Sequence, residues 1–139
     1  MKKGVKVYLG ADHAGFELKE KIKKNLLDLG YEVKDCGAYE LDLEDDYPDF
    51  IRKAAEEVSK DPSENRAIVL GGSGQGEAIV ANRYKGVRAV VYYGGPDEII
   101  KLSREHNDAN VLSLGARILS EEEALRAVEK WLQASFSGE

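Results

Sequence analysis

In 139 residues the chain has one cysteine, three prolines and two histidines. No apolar run approaches the ~20 residues that a membrane-spanning helix needs. The lone Cys36 cannot close an internal disulfide, which suits a reducing compartment. No basic block offsets the formal net charge of -6, which argues against nucleic acid as the main partner. Met1-Lys2-Lys3-Gly4 runs straight into a short strand, so it does not read as a signal peptide. What is present is 42% hydrophobic and 33% charged, the balance of a soluble globular protein and not of a disordered one. The expectation is a cytoplasmic protein with residues 1–139 forming one domain.

The most informative stretch runs from Ala67 to Asn82. Ala67-Ile68-Val69-Leu70 reads as a buried parallel strand, Gly71-Gly72-Ser73-Gly74-Gln75-Gly76 as a glycine-rich turn, and Glu77 to Ala81 as the start of a helix. Glycines let a backbone approach a ligand closely, and the first N–H groups of a helix have no partner inside it. The loop lacks the lysine of a Walker motif, and its glycines are not spaced as in the dinucleotide fingerprint. A cradle for a small oxyanion is the better reading, and it carries two reactive side chains, Ser73 and Glu77.

Elsewhere, strand-like and helix-like segments alternate. Strands are expected at Val5–Leu9 (broken by Gly10), Tyr31–Cys36, the central run, Val87–Tyr93 and Asn110–Leu114. Helices are expected from Phe16 to Gly30, from Pro48 past Val58, after the glycine loop, over Glu98–His106 and after Ser120, where Glu123 completes a capping box. An acidic loop, 41–47, precedes Pro48. Five strands alternating with five helices, without repeats or a linker, give an α/β class: a single Rossmann-like three-layer α/β/α domain around a five-stranded parallel sheet. Ligands of such sheets bind beyond the carboxyl ends of the strands. Asp12-His13, Ser73–Glu77 and Arg117 each follow a strand, whereas the position of His106-Asn107 relative to that edge stays open. Each residue also has a plain reading. Asp12 and Ser73 suit helix caps, Glu77 an acidic first turn, His106-Asn107 a helix end, and Arg117 the surface. Cys36 reads as packing.

Together, a carboxylate, imidazoles, a hydroxyl and a nest of N–H donors are what proton transfer beside a carbonyl requires. The stretches Gly10–Lys19, Asp46-Tyr47-Pro48-Asp49, Leu70–Glu77 with Ala81-Asn82-Arg83, Gly86–Ala89 and Ser103–Asn110 resemble the type B ribose-5-phosphate isomerases and the related galactose-6-phosphate isomerase subunits. The resemblance implies aldose–ketose isomerisation of a phosphorylated pentose through an enediolate. It implies no metal or other cofactor, and a homodimer with each active site at the subunit interface. It also implies one of two forms of the loop. In one, a cysteine at the start of the loop is the base; in the other, glycine stands there and a glutamate after the last glycine serves, as Gly71 and Glu77 do here. By position, Asp12 and His106 resemble the ring-opening pair, and Ser73 with the N–H groups of Gly72, Gly74 and Gly76 the oxyanion pocket. Asn107 and Tyr47 resemble substrate contacts, and Arg117 and His13 binders at the phosphate end. Family members usually continue into an Arg-His-x-x-Arg segment reaching the partner's phosphate, whereas this sequence stops at Phe136-Ser137-Gly138-Glu139. Truncation, a different phosphate contact and a different sugar all stay open. Two rival readings are an isomerase of galactose 6-phosphate or an unphosphorylated aldose, and a non-catalytic flavodoxin-like anion-binding module.

Overall fold

The computed structural model describes residues 5–39 and 47–137. The N-terminal residues 1–4, the acidic loop up to residue 46 and the side chains of Tyr47 and Pro48 lie outside them. In order, the elements are β1 (Lys6–Ala11), a 3₁₀ turn (His13–Gly15), α1 (Phe16–Asp28), β2 (Glu32–Asp35), α2 (Tyr47–Lys60), β3 (Asn65–Gly71), α3 (Gln75–Ala81), β4 (Ala89–Tyr92), α4 (Asp97–Glu105), β5 (Val111–Gly115) and α5 (Glu121–Gln133). All neighbouring strands are parallel, in the order β2-β1-β3-β5-β4.

That order decides which helices share a face. Right-handed crossovers change face whenever the chain reverses its direction across the sheet. It does so between β2 and β3, and again between β4 and β5. Accordingly Ile22 and Leu26 of α1, Ile100 of α4, and Ala124, Val128 and Trp131 of α5 form one core cluster. Ile51, Ala54, Ala55 and Val58 of α2 and Ala81 of α3 form the other. Each large side chain removed from water in these layers contributes ~1.5–3 kcal/mol. The expected Ser120–Glu123 capping box opens α5.

Two boundaries differ from the sequence reading. Gly10 does not break β1; the strand continues through Gly10 and Ala11, paired with Val69 and Leu70. Gly10 is a point of close approach, because a Cβ there would stand 2.8 Å from the Phe50 carbonyl oxygen of α2. β4 is shorter than Val87–Tyr93, because the Arg88 N–H is taken by the Asn110 side chain at 2.7 Å and not by a ladder.

A buried ion pair ties the end of β2 to β1. The Lys19 ammonium is fully buried and donates to both carboxylate oxygens of Asp35 at 2.7 Å and to the Ala38 carbonyl at 2.6 Å. Burial alone would raise the Asp35 pKa, but Lys19, the Gly37 N–H and Lys23 together hold it below the ordinary carboxylate range. Gly37 and Ala38 in turn bond to the backbone of Ala11 at 2.8 Å, one residue before Asp12. Removing one member of a buried pair strands the other charge, at a cost of roughly 3–5 kcal/mol. Lys19→Met is therefore expected to lower unfolding stability by about 3 kcal/mol in urea melts at neutral pH. A depressed folded pKa stabilises above the unfolded value, so the Asp35 contribution is lost as pH falls through its folded pKa. The difference between variant and parent should shrink in that acid range.

Candidate active site

β1 and β3 are neighbours, yet the chain leaves β1 toward β2 and leaves β3 toward the opposite edge. The connections diverge and open a crevice at the strands' carboxyl ends, where α/β sheets bind ligands. Asp12 stands on one lip and Glu77 on the other.

Glu77 lies in the first turn of α3 and is only 5% exposed. Opposing influences act on its carboxyl. Burial raises the pKa most, its own backbone N–H lowers it, the charge of Asp12 raises it further, and the net shift is upward. The slot that receives the carboxyl exists because residue 71 has no side chain: a Cβ on Gly71 would overlap the Glu77 carboxyl group. A side chain at position 71 and the carboxylate of Glu77 thus compete for one space, a physical reason for the two loop forms to be mutually exclusive.

Asp12 is buried and caps the 3₁₀ turn, accepting the N–H of Ala14 at 2.9 Å and of Gly15 at 3.3 Å. Both bonds fall on Oδ1, so the capping reading and a chemical role coexist. His13, half-buried, opens that turn. Gly74 takes the left-handed φ of 84° that turns the loop into α3, and the loop is pinned from β5. The Ser113 hydroxyl donates to the Gly74 carbonyl at 2.6 Å, and the N–H groups of Ala116 and Arg117 donate to Gly71 and Gly72 carbonyls at 2.7 and 3.1 Å. Ser73 is exposed, and its Oγ accepts the Gln75 N–H at 3.3 Å. The exposed Arg117 lays its guanidinium along Gly72, where a Cβ would stand 3.2 Å from Nη1.

Eight of the expected residues, Asp12, His13, Gly72, Ser73, Gly74, Gly76, Glu77 and Arg117, therefore share one edge. His106 and Asn107 do not. α4 starts beyond the carboxyl end of β4 and runs back to the amino end of β5, so its exposed C-terminal pair sits roughly 15 Å away, the length of β5. The pairing of Asp12 with His106 is not formed within one chain. Tyr47 opens α2, and its side chain lies outside the described residues. One contributor escaped the sequence reading, Ser113, which holds the loop; for Gly71, singled out there as the mark of the loop form, the structure adds the steric reason, the slot its missing side chain leaves. The trace of Ser113 in the sequence is a polar residue inside the apolar run Val111–Leu114.

Fold and site define a doubly wound α/β protein with a buried carboxylate beside an oxyanion-type loop, the equipment for proton transfer next to a carbonyl. The family model described as Ribose/Galactose Isomerase matches residues 7–139. The ribose-5-phosphate isomerase B of Mycobacterium tuberculosis is 43% identical over 134 residues, covering 96% of this chain and 81% of the relative. That of Escherichia coli is 38% identical over 133 residues, covering 96% and 87%. The structure of ribose-5-phosphate isomerase B from Mycoplasma genitalium with bound ribulose-5-phosphate superposes with a TM-score of 0.95 at 33% identity, covering 99% of this chain and 90% of that one. The chain belongs to the Ribose/Galactose Isomerase family. Among the described residues no helix is long and apolar enough to cross a membrane.

Gly71→Ala tests the slot. The atoms a new Cβ would meet are the mobile end of Glu77, so the carboxyl moves and the backbone does not. Catalytic turnover is expected to fall by roughly 10²-fold, the scale of losing a general base, with the melting temperature nearly unchanged.

Proposed function

We propose that this protein interconverts ribose 5-phosphate and ribulose 5-phosphate, with Glu77 as the base. The observation that carries this reading is the buried Glu77 carboxyl, held in the Gly71 slot with its pKa raised. A proton acceptor works best when its pKa lies near the operating pH. Glu77 takes the proton from C2 of the open-chain aldose, and the electron pair forms the C1–C2 double bond of an enediolate and leaves the charge on O1. A proton then passes from O2 to O1, and Glu77 returns its proton to C1 as the C2 carbonyl forms. Ser73 and the loop N–H groups of Gly72, Gly74 and Gly76 face the charge developing on oxygen, a contribution of ~2.7–4 kcal/mol per donor in comparable sites. Arg117 and His13 hold the phosphate end, where a guanidinium makes paired, charge-assisted bonds. A pure anion-binding module has no use for a buried carboxylate at its loop.

Asp12 needs a partner to open the sugar ring, and His106 of the same chain faces the other edge of the sheet. A homodimer resolves this, with His106 and Asn107 of each subunit completing the site of the other. The half-buried Val90 and Val91 on edge strand β4 and the exposed Ile99 on α4 border an apolar recess of about 270 Å³ that Asn107 also lines. That surface suits a second copy. The proposed compartment is the cytoplasm, which fits a lone buried cysteine whose thiol burial pushes up to about 11.

Glu77→Gln keeps the shape and removes the proton acceptor, so kcat should drop by 10²-fold or more. A carboxyl whose folded pKa is raised stabilises in its protonated form, and that contribution is lost as pH rises through the folded pKa. Glu77→Gln should therefore melt at or above the parent's temperature at neutral pH, the gap closing toward acid. Mixing Glu77→Gln with His106→Ala under subunit exchange tests the shared site. Half of the dimers are then hybrids with one intact site each, so activity should recover to about one quarter of the parent's. Inactive mixtures would reject the shared site.

A further inference from the structure

The turn that carries His106 and Asn107 is held far more firmly than a helix end requires. Asp108 adopts φ 49°, a left-handed conformation uncommon for a residue with a side chain. If the turn alone mattered, glycine would serve there. Instead two arginines from different elements converge on Asp108. Arg104 of α4, 3% exposed, donates through Nη1 to Asp108 Oδ1 at 2.8 Å and to the Ala109 carbonyl at 2.6 Å. Arg88, just before β4, donates through Nη2 to Asp108 Oδ2 at 3.1 Å and through Nε to the Asp108 carbonyl at 2.7 Å. Asn110 closes the arrangement, accepting the Arg88 N–H and donating to the Gly86 carbonyl at 2.9 Å. The backbone of 108–110 is thereby tied to α4 and to the segment leading into β4, and the two residues just before it, His106 and Asn107, are presented to solvent.

We propose that Arg88 and Arg104, acting through Asp108, are positioning residues that set His106 and Asn107 for the partner subunit's active site. This rests on the reading that His106 acts in ring opening. A group delivered across a subunit interface has no local scaffold at its destination, so its aim is set by its own turn. Small misplacements of a reacting group are expensive in rate.

The experiment compares initial rates from ribose 5-phosphate, which is largely cyclic, and from ribulose 5-phosphate, which cannot form the furanose. It uses Asp108→Gly, His106→Ala and the double variant. Asp108→Gly keeps the left-handed turn open to the backbone and removes only the clamp. Its kcat from ribose 5-phosphate should fall roughly tenfold or more, the scale of a misplaced reacting group, with a much smaller loss from ribulose 5-phosphate. Added to His106→Ala, it should cost little further, since coupled residues are non-additive. Asp108→Asn, which retains shape and one acceptor, should lie between and carries the same comparison if Asp108→Gly does not fold. Equal losses in both directions, or full additivity with His106→Ala, would overturn the positioning role while leaving that of His106 intact. A His106→Ala protein without directional loss would remove the role of His106 itself, and this proposal with it.

Discussion

The site depends on one steric fact: the carboxyl of Glu77 occupies the space where a side chain on residue 71 would stand. Everything that gives this carboxylate its character follows from that slot. It keeps the group nearly out of water, and burial is the largest influence raising its pKa. It also brings the group within electrostatic range of Asp12 across the crevice. The charge of Asp12 adds a smaller upward push to that of burial. A rigid setting holds the carboxyl in this place.

The rigidity has a traceable origin. β3 sits at the centre of the sheet, and its exit loop is gripped from β5 by the Ser113 hydroxyl and the N–H groups of Ala116 and Arg117. On the other lip, Asp12 is steadied by its own cap bonds, and the strand before it by the backbone of Gly37 and Ala38, which Lys19 anchors. Separate polar networks thus converge on a crevice that the strand order creates. The helices after β1 and β3 depart to opposite faces, which is why the crevice stays open to a ligand.

Much of this was legible in the residues. The apolar run before Gly71, the glycine loop and the change to helical periodicity placed Glu77 and Ser73 correctly, because these signals are local. The capping box at Ser120 was legible for the same reason. Gly10 misled as a strand breaker, since its role is to admit the Phe50 carbonyl from a helix forty residues away in sequence, a contact that no local pattern encodes. The location of His106 was equally hidden. It depends on β5 inserting between β3 and β4, and strand order is a property of packing, not of periodicity. The direction of the Glu77 shift needed the burial of its carboxyl, which the sequence does not state.

The central claim is that a carboxylate whose pKa is raised chiefly by burial does the proton transfer. The most direct measurement is the pH dependence of kcat/KM with ribulose 5-phosphate, in the parent and in Asp12→Asn. The acid limb should lie above the ordinary glutamate value of 4.5 in the parent, and it should move down when the neighbouring charge is removed. A parent limb at or below that value would contradict the assignment of Glu77 as the titrating base, whereas a limb that stays put in Asp12→Asn would assign the whole upward shift to burial.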